Sequence, residues 1–101
     1  MSVYCLFQIS VQDPAKYEEY VGVATESLDG HEVNILVLDP EPKMIAGDVD
    51  HKETAIFEFA SEEVFKNWYY SPKYQEALAI RNAEGVSVGR AMLLQGFTWE
   101  E

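Results

Sequence analysis

The chain has 101 residues, and its 18 acidic and 7 basic side chains give it a formal net charge of −11. Hydrophobic residues make up 48% of the sequence, which is more than an intrinsically disordered chain carries. The length suits a single domain, and residues 1–101 are predicted to form it. The negative charge disfavours contact with nucleic-acid phosphates and anionic lipids, so neither a nucleic acid nor a membrane is an expected partner.

The cysteine content and the N-terminal segment indicate a cytoplasmic protein. Cys5 is the only cysteine, which excludes an intrachain disulfide and a cysteine-based structural zinc site. The N-terminal residues begin an alternating strand pattern and lack the charged and apolar regions of a signal peptide. No apolar run approaches the roughly 18 residues that cross a bilayer.

The first half of the chain predicts a strand, a helix and a second strand. Residues 3–11 alternate and are rich in β-branched and aromatic side chains, as in a strand. Asp13-Pro14 then begins a helix, because aspartate caps a helix start and proline suits its first position. Asp29-Gly30 ends that helix. Residues 33–38 predict the second strand, which a proline-rich turn terminates.

The middle of the chain predicts a loop, a third strand and an interrupted helix. Residues 44–52 predict a loop or a weak edge segment, and residues 54–59 consist almost entirely of strand-forming side chains. Ser61 caps the second helix. Ser71-Pro72 interrupts this helix and restarts it with a kink, because proline disfavours a helical residue before it. Gly85 is predicted to end it.

The order of elements predicts a ferredoxin-like α+β fold. Residues 86–97 form the final strand, and a short acidic tail, Glu100 and Glu101, follows. The resulting order, β-α-β-β-α-β, corresponds to a four-stranded antiparallel sheet with the helices on one face.

The strands are apolar on both faces, which predicts a homodimer. In the second strand, Val33, Ile35 and Val37 are expected on one face, and Leu36 and Leu38 on the other. The first and last strands carry the same double pattern. A sheet with one solvated face would alternate between apolar and polar side chains instead. A second copy of the chain is the expected cover for the apolar face away from the helices.

Several motifs along the chain occur together in one known family. They are Asp13-Pro14 with Tyr17 and Tyr20, Gly47-Asp48, Ile56-Phe57-Glu58-Phe59 with Ser61, Trp68-Tyr69 with Ser71-Pro72-Lys73-Tyr74-Gln75, and Arg81. In these motifs the chain resembles the domain of unknown function 1330 (DUF1330) family of the dimeric α+β barrel superfamily. The resemblance spans nearly the whole chain and implies a dimeric barrel without an established activity. The wider superfamily includes cofactor-free oxygenases, lactone isomerases and haem-binding enzymes.

Arg81 is the sharpest candidate for a ligand-binding residue. It follows Tyr74, Ala77 and Leu78 on one helix face, at a position where a core-facing stripe would carry an apolar side chain. A charge there needs a partner, a ligand or a route to water. Arg81 therefore holds a carboxylate or phenolate ligand, pairs with an acid such as Glu58, or extends its charged end outward into solvent. Trp68 and Tyr74 are candidate walls of the same pocket, with a purely structural core role as the alternative.

Glu58 and His51 are the candidate catalytic bases. A carboxylate on a covered sheet face has a raised pKa unless it is paired, and a general base uses that property. For Glu58 the alternative is a structural salt bridge. His51 stands in a loop with Asp48 and Asp50, but metal sites usually draw ligands from several elements, so no metal is expected.

The sequence thus predicts a small homodimer that binds an acidic or aromatic organic molecule between its second helix and the sheet. Arg81 would be the anchor, and Trp68 and Tyr74 the walls. Two alternatives remain open. One is a cofactor-independent oxygenase or isomerase with Glu58 or His51 as base, and the other is a non-catalytic interaction module. No cofactor is expected in any of these cases.

Overall fold

The computed structural model describes residues 1–99, which form four strands and three helices. The elements are β1 (Val3–Val11), α1 (Pro14–Ser27), β2 (Asn34–Asp39), β3 (Glu53–Phe59), α2 (Glu62–Tyr69), α3 (Pro72–Arg81) and β4 (Ser87–Gln95). No helix in this part of the chain is long and apolar enough to span a membrane. The predicted acidic tail, Glu100 and Glu101, lies outside the described residues, so the prediction of one domain over residues 1–101 includes two positions beyond them.

The four strands form one antiparallel sheet in the order β2-β3-β1-β4. The alternate side chains of β1 that face the helices are buried, namely Val3, Cys5, Phe7 and Ile9. They pack with aromatic residues of α1, α2 and α3 in one core on that side of the sheet. This arrangement confirms the predicted ferredoxin-like fold.

The helix starts lie where the capping residues predict them. Asp13, Ser61 and Ser71 each accept a hydrogen bond from the backbone N–H three residues later, at 3.2, 3.2 and 3.3 Å. These bonds satisfy N–H groups that have no partner within the helix. At Ser71-Pro72 the predicted interruption separates two helices, α2 and α3.

The end of α3 differs from the prediction. The helix ends at Arg81, with Asn82 as its C-cap, and not at Gly85. Residues 82–86 form turns that lead the chain into β4, and Gly85 has a φ of 81° within them. Glycine is suited to this left-handed conformation because it has no Cβ atom. Gly85 therefore belongs to the turn and not to the helix end.

The expected alternation of side chains in β2 is wrong because the strand contains a bulge. Ile35 lies opposite Phe57, whereas Val37 lies opposite Ile56, with an irregularity in the register between them. Neighbouring positions of β3 face opposite sides of the sheet, so Ile35 and Val37 do so too. An extra residue in a bulge shifts the two-residue alternation by one position.

The sheet face away from the helices carries a continuous apolar row. Val37, Ile56, Leu6 and Met92 are paired in register across all four strands. Met92 is 41% exposed, and its neighbours Val88 and Leu94 on the same face are also exposed. We refer to this surface as the open face of the sheet.

Gly22 and Gly89 provide a test of backbone packing in which the same change has opposite effects. A Cβ atom on Gly89 would clash with the backbone oxygen of Gln8, whereas one on Gly22, in α1, would meet nothing within 4 Å. We expect Gly89→Ala to lower the free energy of unfolding by about 2 kcal/mol, since backbone has to move. Gly22→Ala should raise it by about 0.5–1 kcal/mol through helix propensity. Urea unfolding measures both, and a change of the same sign in the two variants would contradict the prediction.

The buried thiol of Cys5 makes the free energy of unfolding depend on pH in the alkaline range. Burial raises the pKa of its thiol to about 12, although the charge of Arg81 acts in the opposite direction. In the unfolded chain a thiol has a pKa of about 8.5, so the unfolded state loses its proton first and is favoured as the pH rises. Between pH 8 and 10 we expect the free energy of unfolding to fall by about 2 kcal/mol more in the wild type than in Cys5→Ala. Equal losses in the two proteins, measured by urea unfolding with reductant, would refute this linkage.

Candidate functional site

The break between α2 and α3 brings Trp68 and Tyr74 together. Trp68 lies near the end of α2 and Tyr74 in the first turn of α3, and their ring centroids are 4.1 Å apart. Their side chains are 1% and 0% exposed, respectively. The two residues predicted as pocket walls are therefore adjacent, and they belong to the core as well.

The polar atoms of these two aromatic residues are hydrogen-bonded to α1. The indole N–H of Trp68 donates to Ser27 Oγ at 3.0 Å. The hydroxyl oxygens of Tyr20 and Tyr74 are 2.8 Å apart. Within residues 1–99, no buried side-chain nitrogen or oxygen lacks a hydrogen-bond partner. Such satisfied buried groups fix the helices relative to one another.

A cavity of about 160 Å³ lies between α1 and the strands β2 and β3. We call it the aromatic cavity; it is lined by Tyr17, Tyr20, Val21, Ala24, Thr25, Leu28, Ile35, Leu38, Phe57, Trp68 and Tyr74. This lining contains no charged side chain. The pocket was predicted between the second helix and the sheet. The aromatic cavity agrees with this only in part, because α1 supplies more of its lining than α2 or α3 does.

Arg81 does not line the aromatic cavity. Its Nη1 atom donates to the hydroxyl oxygen of Tyr74 at 3.5 Å, and its guanidinium carbon lies 5.4 Å from the centre of the Tyr20 ring. No carboxylate among residues 1–99 lies within 4.0 Å of its guanidinium nitrogens. Arg81 therefore contacts the tyrosine pair behind the cavity, and its charge is stabilised there by aromatic groups.

A second cavity, of about 420 Å³, is lined in part by Arg81. It lies between the end of α3 and the edge strand β4. We call it the arginine cavity; its lining consists of Ile9, Tyr69, Arg81, Asn82, Ser87, Val88, Gly89, Arg90 and Ala91. The predicted anchor and the predicted walls are thus separated into two cavities that share the hydrogen bond between Arg81 and Tyr74.

Tyr17 and Tyr74 are neutral hydrogen-bonding groups near neutral pH. Burial raises the pKa of Tyr17 to about 12, with smaller contributions from Tyr20 and Glu53. Burial also raises the pKa of Tyr74, and the charge of Arg81 opposes this only in part. Protonated phenols donate hydrogen bonds readily but are poor general bases.

One phenolic proton of the Tyr20–Tyr74 pair is left over. The two hydroxyls have two protons, of which one lies between their oxygens. Arg81 supplies a further donor and cannot accept the second proton. No side-chain or backbone acceptor for that proton occurs among the hydrogen bonds of residues 1–99. The pair thus has a donor available for an acceptor atom of a ligand.

Glu58 lies on the open face, away from Arg81. Its neighbour Phe59 is buried on the helix side, and adjacent strand residues face opposite sides. Its carboxylate accepts hydrogen bonds from Asn34 Nδ2 at 3.0 Å and from the Tyr4 hydroxyl at 3.2 Å. The hydrogen bond from Asn34 is the main cause that lowers its pKa. An ion pair with Arg81 of the same chain is excluded by the intervening sheet.

His51 lies beside the same open face. Its Nδ1 atom is 2.8 Å from the hydroxyl of Ser10. Asp50 next to it pairs with Arg90 at 2.7 Å, and hydrogen bonds from Arg90 lower the pKa of Asp50. Within residues 1–99 no three His, Cys, Asp or Glu side chains are grouped as a metal site. Neither His51 nor Glu58 lines the aromatic cavity.

The sequence did not identify Tyr20 and Ser27 as parts of the site. Both lie on α1, whose apolar face was recognisable from its spacing. Their partners Tyr74 and Trp68 are 54 and 41 positions away, respectively. The available signal was a tyrosine and a serine on a helix face that otherwise faces the core, since buried hydroxyls require partners.

The comparison with known sequences identifies a family. The profile of the family described as domain of unknown function (DUF1330) matches residues 2–97. No curated protein matches the chain.

Solved structures with low sequence identity share the fold. A protein of unknown function from Rhodopseudomonas palustris is 17% identical with a TM-score of 0.76, over 96% of this chain and 83% of that one. SnoaB, a cofactor-independent oxygenase from Streptomyces nogalater, is 11% identical with a TM-score of 0.62, over 97% and 95%. A dimeric ferredoxin-like protein of unknown function from Thermobifida fusca is 14% identical with a TM-score of 0.57, over 93% and 92%.

These similarities support the fold and leave the activity open, since none of the three structures exceeds 17% identity. The profile match covers nearly the whole chain, in agreement with the family resemblance predicted from the motifs between Asp13 and Arg81. The chain therefore belongs to the DUF1330 family, whose function is not established.

Proposed function

We propose that the chain binds a small, ring-sized organic molecule with a hydrogen-bond acceptor in the aromatic cavity. The observation that carries this proposal is the Tyr20–Tyr74 pair, which has one hydroxyl proton available beside a mostly apolar lining. Binding pockets commonly combine apolar walls with a few polar groups that fix the orientation of a ligand.

The volume of the cavity limits the size of the ligand. At about 160 Å³, the aromatic cavity accommodates a single ring with one or two substituents. Apolar protein cavities of about 150 Å³ are known to bind benzene. Phe57 and Trp68 offer ring edges and faces for aromatic packing, which favours an aromatic ligand over an aliphatic one of equal size.

Binding is better supported than catalysis by a cofactor-independent oxygenase or isomerase. Such an enzyme needs a base near its substrate, and no carboxylate, histidine or cysteine lines the aromatic cavity. The raised pKa values of Tyr17 and Tyr74 keep these phenols protonated. The similarity to SnoaB concerns the fold and gives no support for a shared reaction at 11% identity.

We also propose that two chains form a homodimer in which their open faces pack together. The row of Val37, Ile56, Leu6 and Met92 provides an apolar surface that a second copy would cover. A structurally similar protein from Thermobifida fusca is described as dimeric, in accordance with this proposal. The composition, with one cysteine and no disulfide, favours a cytoplasmic location.

Ligand binding is testable through the fluorescence of Trp68. Trp99 is 86% exposed, so Trp99→Phe leaves Trp68 as the sole reporter without disturbing the core. We expect acetophenone to quench it saturably and to bind about fivefold more tightly than ethylbenzene, because one net hydrogen bond contributes about 1 kcal/mol. Equal affinities would show that the phenolic donor is not used.

Filling the cavity provides the matched control for that experiment. Ala24 lines the aromatic cavity, whereas Ala79 is exposed on α3 and lines none of the cavities described above. Ala24→Leu should weaken acetophenone binding at least about tenfold, since the added side chain occupies the space of the ring. Ala79→Leu should leave it unchanged. No saturable quenching in any variant would favour a non-catalytic interaction module without a small-molecule ligand.

The proposed dimer is testable with a charge on the open face. Met92→Glu places a carboxylate in the apolar row, and Ala79→Glu adds the same charge on the helix side. We expect the wild type and Ala79→Glu to have twice the chain mass of 11.5 kDa in light scattering at about 10 µM. Met92→Glu should have the mass of one chain, because burial of an unpaired carboxylate is costly. A monomeric wild type would refute the dimer.

A further inference from the structure

Arg81 is a half-buried cation without an acidic partner in the described part of the chain. The carboxylate ion pairs of residues 1–99 involve Lys16, Lys52, Lys66, Lys73 and Arg90. Lys43, which has no such pair there, is exposed to solvent on a loop. Removal of a charge from water without a counterion is costly, so a half-buried guanidinium usually has an anion beside it.

The existing contacts of Arg81 leave most of its donors available. A guanidinium has five N–H groups in a planar fork. One of them donates to Tyr74, at the long distance of 3.5 Å. The Tyr20 ring and the C-terminal end of α3 also stabilise the charge, and the Tyr20 hydroxyl is close enough to accept a weak hydrogen bond from a second N–H group. The remaining pairs of N–H groups match the two oxygens of a carboxylate.

The arginine cavity differs in charge from other cavities of this acidic protein. Its lining includes both arginines of the chain, Arg81 and Arg90, and no carboxylate, but the guanidinium of Arg90 is bound to Gln8 and Asp50 on the open-face side. Three other surface cavities each include two or three acids, namely Glu32 and Glu58, Asp39 and Glu53, or Asp13, Glu19 and Glu84. Asp50 neutralises Arg90, so Arg81 supplies the uncompensated positive charge.

We infer that the arginine cavity binds a small organic acid, whose carboxylate is held by the guanidinium of Arg81. Tyr69, Ile9 and Ala91 supply an apolar wall for the rest of the molecule, which inorganic phosphate would leave uncovered. The volume of about 420 Å³ suits one ring or a short chain. Tyr69 and Arg81 lie on the helix side of β4, although the lining residues Val88 and Arg90 belong to the open face of that strand. The guanidinium of Arg81 therefore requires neither the proposed dimer nor a ligand in the aromatic cavity to bind an acid.

The presence of only two arginines allows a direct test by NMR. The Nε–H region of a ¹H–¹⁵N spectrum contains one signal for each arginine, and Arg90→Lys identifies that of Arg81. We expect benzoate to shift the Arg81 signal saturably, with a Kd of about 1 mM, and benzamide to leave it in place. Salt of about 0.15 M shortens the Debye length to roughly 8 Å and so reduces repulsion by distant carboxylates.

A pair of variants at Ala91 separates charge from size. Ala91 is exposed and lines the arginine cavity, so a longer side chain there is accommodated without disturbing the core. Ala91→Glu supplies an internal carboxylate and should weaken benzoate binding at least about tenfold relative to Ala91→Gln, which has the same shape. Lys43→Gln removes one positive charge elsewhere and should leave the affinity within about twofold of the wild type.

Several outcomes would overturn the inference. They are an Arg81 signal that does not move with benzoate, one that moves equally with benzamide, and equal affinities of the Ala91→Glu and Ala91→Gln variants. A shift with inorganic phosphate but not with benzoate would overturn the assignment to an organic acid. Loss of acetophenone binding in Ala24→Leu with benzoate binding retained would show that the two sites are independent.

Discussion

The hydrogen bond between Tyr20 and Tyr74 is the constraint on which the arrangement of the helices depends. The two hydroxyls are 2.8 Å apart in the core, and each would lack a partner of comparable strength if the other moved away. This bond joins α1 to α3 over the sheet. It forms only because Ser71-Pro72 ends α2 and starts α3 in a new direction, which places Tyr74 against Trp68. The interruption of the helix is thus a structural requirement of the core.

The same aromatic layer separates two environments of different polarity. On one side, the aromatic cavity is uncharged and has a donor from the tyrosine pair. On the other side, Arg81 approaches the Tyr74 hydroxyl and the Tyr20 ring from the arginine cavity. A change in the position of Arg81 would weaken or strengthen the hydrogen bond that the Tyr74 hydroxyl oxygen accepts from it. Any coupling between the two cavities would therefore pass through one hydroxyl group.

The local signals in the sequence predicted the elements well, whereas contacts between distant residues were not predictable from them. Asp13, Ser61 and Ser71 marked the helix starts because capping depends on a few adjacent residues. The bulge in β2 reversed the expected faces of Ile35 and Val37, since register depends on pairing with β3. The helix face of Arg81 was identified, but its cavity depends on the rotation of α3 against Tyr20, 61 positions earlier in the chain.

In a protein with a strong negative net charge, an arginine without a carboxylate partner is less expected than in a neutral protein. With 18 acidic residues against 7 basic ones, a random surface position has a carboxylate nearby more often than a cation. The exposed lysines in ion pairs accordingly have glutamate partners. A half-buried guanidinium can lack such a partner within residues 1–99 only where the residues around it are not acidic. The lining of the arginine cavity meets this condition, because Tyr69, Ala91 and other uncharged residues surround Arg81 there. The whole lining of the cavity thus keeps the positive charge of Arg81 unpaired, and this charge is available to an anion from solution.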